Sequence, residues 1–398
     1  MRRATVLALA IAAVGLGSAY GYLVLASSHG GSLLADQLSV GRSHRCAITS
    51  SGSARCWGSD RYGELGDGGV IRDDGSSDYP VQVMGLNEGV TDISVSPMSH
   101  SCAVHKGGAK CWGSNSYGQL GDGTRTDRSA PVQVVGLESN VVSVAAGEIH
   151  SCALTTAGSV LCWGNDHEHQ AGSDPTLGIK SVRPVGVPGL SAGIVSIKAG
   201  HSHTCALTST GVVGCWGNNR FGQLGDGTRE NRITPVRVAE LFEPVESLSV
   251  WGGTTCAVTA QGGAYCWGNN SSGQIGDGTT ISALVPTPVI GLQADVASIS
   301  VGGMHTCAVT KAGASRCWGG NEYGEFGNGT RAGSFIPVPT RSTGVVQIVS
   351  GGFYGCGLFR REIFVENAVH PVYGDVAHCW GGVDDRPVSL MPVEVTTR

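Results

Sequence analysis

His150-Ser-Cys-Ala-Leu-Thr-Thr-Ala-Gly-Ser-Val-Leu-Cys-Trp-Gly164 reads as two short strands folded around a tight turn. His150 to Thr155 and Val160 to Trp163 are β-favouring runs, and Gly158 between them can take the left-handed backbone that a hairpin turn needs. If Cys152 opposes Cys162, then Ala153 faces Leu161, Leu154 faces Val160 and Thr155 faces Ser159, leaving Thr156-Ala157-Gly158 as a three-residue turn. Directly opposed residues at a non-hydrogen-bonded site have Cα atoms about 4.5 Å apart, within the roughly 4.4–6.8 Å reach of a disulfide. The stretch therefore predicts an oxidised β-hairpin.

Working outward, the hairpin follows a third apolar run, Val141 to Gly147, and precedes a long loop. In the second repeat that loop, Gly118-Gln-Leu-Gly-Asp-Gly-Thr124, leads to a fourth run, Pro131 to Val134. Cys-Trp-Gly recurs with Trp57, Trp112, Trp163, Trp216, Trp267, Trp318 and Trp380, at intervals of 55, 51, 53, 51, 51 and 62 residues. That is the length of a four-stranded propeller blade, and no repeat carries apolar residues at helical spacing. The fold class read from this is all-β, a seven-bladed β-propeller of four-stranded antiparallel blades with one disulfide per blade. The first strand of each repeat ends in small residues such as Ala145-Ala146-Gly147 and Gly302-Gly303, which predicts that it lies innermost, where seven blades converge. The last strand carries Pro-Val, as at Pro131-Val132, and belongs at the outer edge because proline has no N–H to donate. The tryptophans are expected to pack between neighbouring blades.

The fourteen cysteines fall two per repeat: Cys46 and Cys56, Cys102 and Cys111, Cys152 and Cys162, Cys205 and Cys215, Cys256 and Cys266, Cys307 and Cys317, Cys356 and Cys379. The second repeat is one residue shorter, and there His105 opposes Gly108 around Lys106-Gly107. The seventh pair needs a longer excursion, Leu358 to Ala377, at the hairpin tip. Structural zinc sites favour gaps of roughly two to four residues between paired cysteines, so gaps of this size read as disulfides. An oxidising compartment follows, and the N-terminus agrees. Arg2 and Arg3 precede an uncharged stretch from Ala4 to Ser28, an export segment that fits either a cleaved signal or an uncleaved anchor. The expected organisation is residues 1–36 as signal peptide or membrane anchor and 37–398 as the propeller, facing outside the cytoplasm.

With 63 glycines, 14% charged residues and a net charge of -5, the chain suits many short strands. Its Lys and Arg residues are scattered singly, which argues against a nucleic-acid surface. His150 to Thr155, Gly158, Trp163-Gly164 and Asn218-Asn-Arg-Phe-Gly-Gln-Leu-Gly225 resemble the regulator of chromosome condensation repeat, over about residues 37 to 398. The resemblance implies that family's seven-bladed propeller. Its founding nuclear member is a guanine-nucleotide exchange factor for a small GTPase and binds chromatin; this chain differs in its export segment, its cysteines and the lack of a basic tail.

Three constellations invite chemistry. His44, His100, His150, His203 and His305 each lie two residues before a first cysteine, with Thr254 and Tyr354 in the other repeats, and a hydrogen bond to neighbouring backbone is expected in place of a metal. Asp67, Asp122, Asp226, Asp277 and Asn328 close the Gly-Gln-Leu-Gly loops, but each copy supplies too few acids for calcium. His167, Glu168 and His169 replace that loop sequence in the third repeat alone and are the weak binding candidates. The first-repeat insertion Val70 to Tyr79 and the segment Asn165 to Arg183 share their face of the ring. No cofactor, metal or catalytic residue is expected. The function read from the sequence is a non-catalytic extracytoplasmic scaffold, a monomer that binds a protein or cell-surface ligand and meets the membrane only through the N-terminal segment. An enzyme using the loop face, or a nucleotide exchange factor, is the alternative.

Overall fold

A computed structural model describes residues 31–69, 75–172, 180–363, 372–382 and 389–397; the stretch from Ala4 to Ser28, read above as an export segment, lies outside them. Among these residues the chain builds seven four-stranded antiparallel sheets, each pairing its strands in chain order. We call them blades one to seven: residues 35–82, 90–133, 141–186, 194–237, 245–288, 296–343 and 345–394. The all-β seven-bladed propeller is the observed fold.

The hairpin register matches the one read from the sequence. In blade three Cys152 faces Cys162, Ala153 faces Leu161 and Leu154 faces Val160, and Gly158 turns the chain at φ 76°. In blade two His105 faces Gly108, and Lys106 and Gly107 both take positive φ, 51° and 80°, as a two-residue hairpin turn requires. All fourteen cysteines pair within their own hairpins at Cα separations of 4.0–4.1 Å, and none is free. Each bond therefore staples a blade and joins no two blades; closing a loop of about ten residues stabilises by roughly 2–3 kcal/mol in the chain-entropy model. In blade seven the excursion prolongs the ladder from Phe359 opposite Val376 to Ile363 opposite Val372.

The first strand of every blade lines an axial channel. Its end is crowded: a Cβ on Gly302 would stand 2.5 Å from Gly351 O, and one on Gly351 2.8 Å from Gly41 O. Seven apolar clusters fill the spaces between blades, each joining two neighbours. Trp112 of blade two, for example, packs with Ile48, Leu65 and Leu86 of blade one.

Ring closure uses a divided version of a repeated cap. In blade one Val83 N donates to Ala54 O while Ala54 N donates to Leu86 O, four residues sealing the end of the third strand. In blade seven Val395 N donates to Ala377 O, but Ala377 N donates to Leu33 O, so the leucine arrives from ahead of blade one. Leu33 N returns to Val395 O and Thr397 N to Gly31 O, pairing the two ends of the propeller. Leu33 is 2% exposed. Leu33→Ala is expected to lower the unfolding free energy by about 2–5 kcal/mol, read as an earlier denaturant midpoint with all disulfides intact; an unchanged midpoint would remove this cap from the closure.

Candidate functional site

Neighbouring blades are latched at one backbone carbonyl. The fully buried Trp163 indole donates to Gln119 O at 2.8 Å, and Ser151 Oγ donates to the same oxygen at 2.9 Å. Trp267 with Thr255 on Gln223 O, and Trp318 with Thr306 on Gln274 O, repeat the arrangement. Trp112 donates to Glu64 O and Trp380 to Glu325 O. Trp216 lies in the same packing between blades three and four without an acceptor for its indole N–H. Trp57 sits at the closing junction, where the Arg45 guanidinium lies over both Trp57 and Tyr354.

The histidines complete the latch, and here the expectation of a backbone partner needs correction. His44, His100, His150 and His203 Nε2 each lie 2.9 Å from a side-chain hydroxyl of the next blade, on Ser101, Ser151, Thr204 and Thr255. The hydroxyls of Ser151, Thr204 and Thr255 are themselves fixed on loop carbonyls, which aims them at the imidazoles. His305 has no such bond because Gly355 fills the hydroxyl position in blade seven. Burial pushes all five histidines down to about 3, so they are neutral in the folded ring.

In blades two and four to six the loop between third and outer strands is built the same way. The buried Asn115 accepts from Leu120 N and donates to Asp122 and Thr124. Asp122 is further held by Thr124 and by Arg128 at 2.8 Å, and Asp226 by Thr228 and Arg232. Gly121 takes φ 67°, and a Cβ there would meet the Trp163 indole at 2.7 Å, so the loop packs on the next blade only as glycine. These bonds occupy the Asp122 and Asp226 carboxylates that a calcium ion would need. Among the described residues no group of three or more His, Cys, Asp or Glu could hold a metal ion.

What the loops present outward is aromatic. Tyr117 N and Phe221 N are pinned by Gln119 and Gln223, Tyr62 N and Tyr323 N by Glu64 and Glu325. The Lys180 ammonium lies 4.6 Å above the Tyr117 ring, and the Arg220 guanidinium 5.7 Å from Phe221. Tyr323 meets Phe353 at 5.0 Å, and Arg42 of blade one covers Phe353 at 5.2 Å, joining three blades in one patch. Sequence reading missed this patch because Arg42, Tyr323 and Phe353 are distant in the chain; only the aromatic one place before Gly-Gln-Leu-Gly signals it.

His167, Glu168 and His169 do not converge. His167 is exposed, with its ring 3.3 Å from Glu168. Glu168 replaces the aromatic and accepts from Asn218 and Asn231 of blade four, bonds that hold its carboxyl below the usual range against a burial effect that raises it. His169 stands at φ 65° where other blades have glycine. Residues 70–74 of the first-repeat insertion and 173–179 of the third-repeat segment lie outside the described residues. A signal the sequence did carry is Glu64, where blades two to five hold glutamine: burial raises its carboxyl to about 7.

The comparisons agree with this architecture. The model of the RCC1-like domain matches residues 23–356. The ultraviolet-B receptor UVR8 of Arabidopsis thaliana is 31% identical over 324 residues, covering 79% of this chain and 72% of its own. The human E3 ubiquitin-protein ligase HERC2 is 30% identical over 275 residues, 67% of this chain, which spans 6% of that much longer protein. The crystal structure of Prp20p from Saccharomyces cerevisiae, described with its binding to Gsp1p and histones, superposes with a TM-score of 0.69 at 23% identity, covering 79% of this chain and 80% of Prp20p.

Two outcomes follow from the latch. Thr204→Val leaves His150 and Gln170 O without their hydroxyl and is expected to cost about 1–3 kcal/mol in denaturation; no loss would show the hydroxyl to be dispensable. The histidines, lowered from 6.5 to about 3, give stability that is complete above pH 6.5 and is lost as pH falls towards 3. Glu64 has the opposite sign, its penalty growing from pH 4.5 to about 7. Unfolding midpoints should fall below pH 6.5, and Glu64→Gln should stabilise at pH 8 by up to about 3 kcal/mol while changing nothing at pH 4.

Proposed function

Because the chain belongs to the RCC1-like domain family, a family of protein-interaction propellers, we propose that it is a non-catalytic scaffold binding a protein partner through its loop face, in an oxidising space outside the cytoplasm. The patch of Arg42, Tyr323 and Phe353 carries this reading. Aromatic residues and arginine are the groups enriched at the energetic centre of protein interfaces, because they bury much area with little loss of rotamer freedom. Tyr62 and Tyr323 are 44% and 43% exposed on loops held rigid from beneath. Such pre-organisation lowers the entropy lost on binding.

The absence of turnover is supported by how the titratable groups are employed. The five buried histidines are tied into blade junctions or packed between them, and Asp122, Asp226 and Glu168 are saturated by intramolecular donors. Catalytic acids and bases need an accessible, poised group. The seven disulfides suggest an oxidising environment, as such bonds are uncommon in reducing compartments. That Prp20p binds Gsp1p and histones fits a propeller used for protein contacts.

The test uses the oxidised propeller as bait on extracellular and secreted proteins of its source, beside a Tyr323→Ala/Phe353→Ala double variant. Both forms should show the same thermal midpoint to within a few degrees. A partner retained by the parent and weakened about tenfold or more by the double variant is expected, the loss of roughly 1.4 kcal/mol or more that an aromatic anchor implies. Equal capture by both forms would move binding away from this patch.

A further inference from the structure

The inner strands pair on one side only, so the N–H groups on the side facing the preceding blade need other acceptors. In four blades the residue opposite the first cysteine of the hairpin meets that need. Ser39 Oγ accepts from Val95 N at 2.9 Å, Ser94 from Ala146 N at 3.0 Å, Ser249 from Val301 N at 2.9 Å and Ser300 from Ser350 N at 2.8 Å. A hydroxyl that accepts in this way keeps its own proton to donate. The one acid lining the channel is already used: Asp92 accepts from Gln37 Nε2 and from Val144 N through its two oxygens.

Blades three and four break the pattern. Opposite Cys152 stands Ala145, and opposite Cys205 stands Lys198. Neither side chain can accept, so Ala199 N and Val250 N, which occupy the register of Val95 and Val301, receive no side-chain acceptor from the neighbouring blade. Val349 in blade seven is likewise no acceptor, but it brings no charge. Lys198 is exposed to the channel and has no ion pair among the described residues. Among the described residues Lys198 is the one cation lining the channel and stands in blade four, two blades from the Asp92 carboxylate of blade two, so the positive potential is local to its own sector.

We infer that this sector of the axial channel, Lys198 Nζ with the N–H group of Val250 that faces it, binds a small free oxyanion, a carboxylate or phosphate. The cavity of about 250 Å³ admits such an anion. Its oxygens accept from the Val250 N–H and from the ammonium. The site is independent of the loop-face reading, since it lies on the axis and needs no partner protein.

The test is titration of the oxidised propeller with inorganic phosphate and with succinate at constant ionic strength, followed by amide NMR shifts. Saturable shifts confined to Lys198, Val250 and their neighbours are expected, while the serine-capped amides of Val95 and Val301 stay in place. Lys198→Ser, which installs the residue that four other blades carry, should weaken binding about tenfold or more while keeping the fold. Lys198→Arg should retain it. Absent or non-saturating shifts, or equal affinity in Lys198→Ser, overturn the site, and sodium chloride alone producing the same shifts reduces it to general screening.

Discussion

In blades two, four and five a single carbonyl, that of the glutamine before Leu or Ile in the long loop, sets how the blade meets the next. It accepts the indole N–H and the hydroxyl of the following blade, and the hydroxyl set on blade two or four also engages that blade's histidine. Each group in the chain of bonds is buried, so every missing partner would leave a desolvated polar atom. The glycines of the loop follow from this constraint, because a Cβ at Gly121 or Gly276 would strike the same tryptophan. Tryptophan, glycine, histidine and hydroxyl residues recur together because they serve one contact.

The repeat made most of the fold legible. Hairpin register, disulfide pairing and the inner position of the first strand all follow from local spacing, in which opposed residues are fixed once the turn length is known. What spacing could not show was contact between repeats. The histidine's hydroxyl partner sits more than fifty positions away, and the Arg42, Phe353 and Tyr323 patch joins the first, seventh and sixth repeats. Lys198 was visible only as one lysine among scattered charges; its meaning depends on knowing which residues stand opposite the first cysteines.

Departures from the repeat mark where the molecule is specialised. Glu64 and Glu325 keep the glutamine's bond to backbone but trade its amide for a carboxyl that burial disfavours when charged, which makes the first and sixth junctions less stable as pH rises out of the acid range. Gly355 and Tyr354 alter the seventh blade, where the Tyr354 hydroxyl reaches across to His44 O. The closing junction is thus assembled from different chemistry than the others.

The covalent staples and the seam at Leu33 and Val395 divide mechanical duty unevenly. Every hairpin is cross-linked against unravelling, whereas among the described residues the two ends of the propeller meet through hydrogen bonds and an apolar cluster that includes Leu33 and Val395, with no covalent bond across the seam. Tension drawn along the backbone from residue 31 would load those bonds in shear and part the first blade from the seventh, while each oxidised hairpin stayed whole. The ring is in this sense a bracelet with welded links and a snap clasp, and force on the N-terminal lead is felt at the clasp.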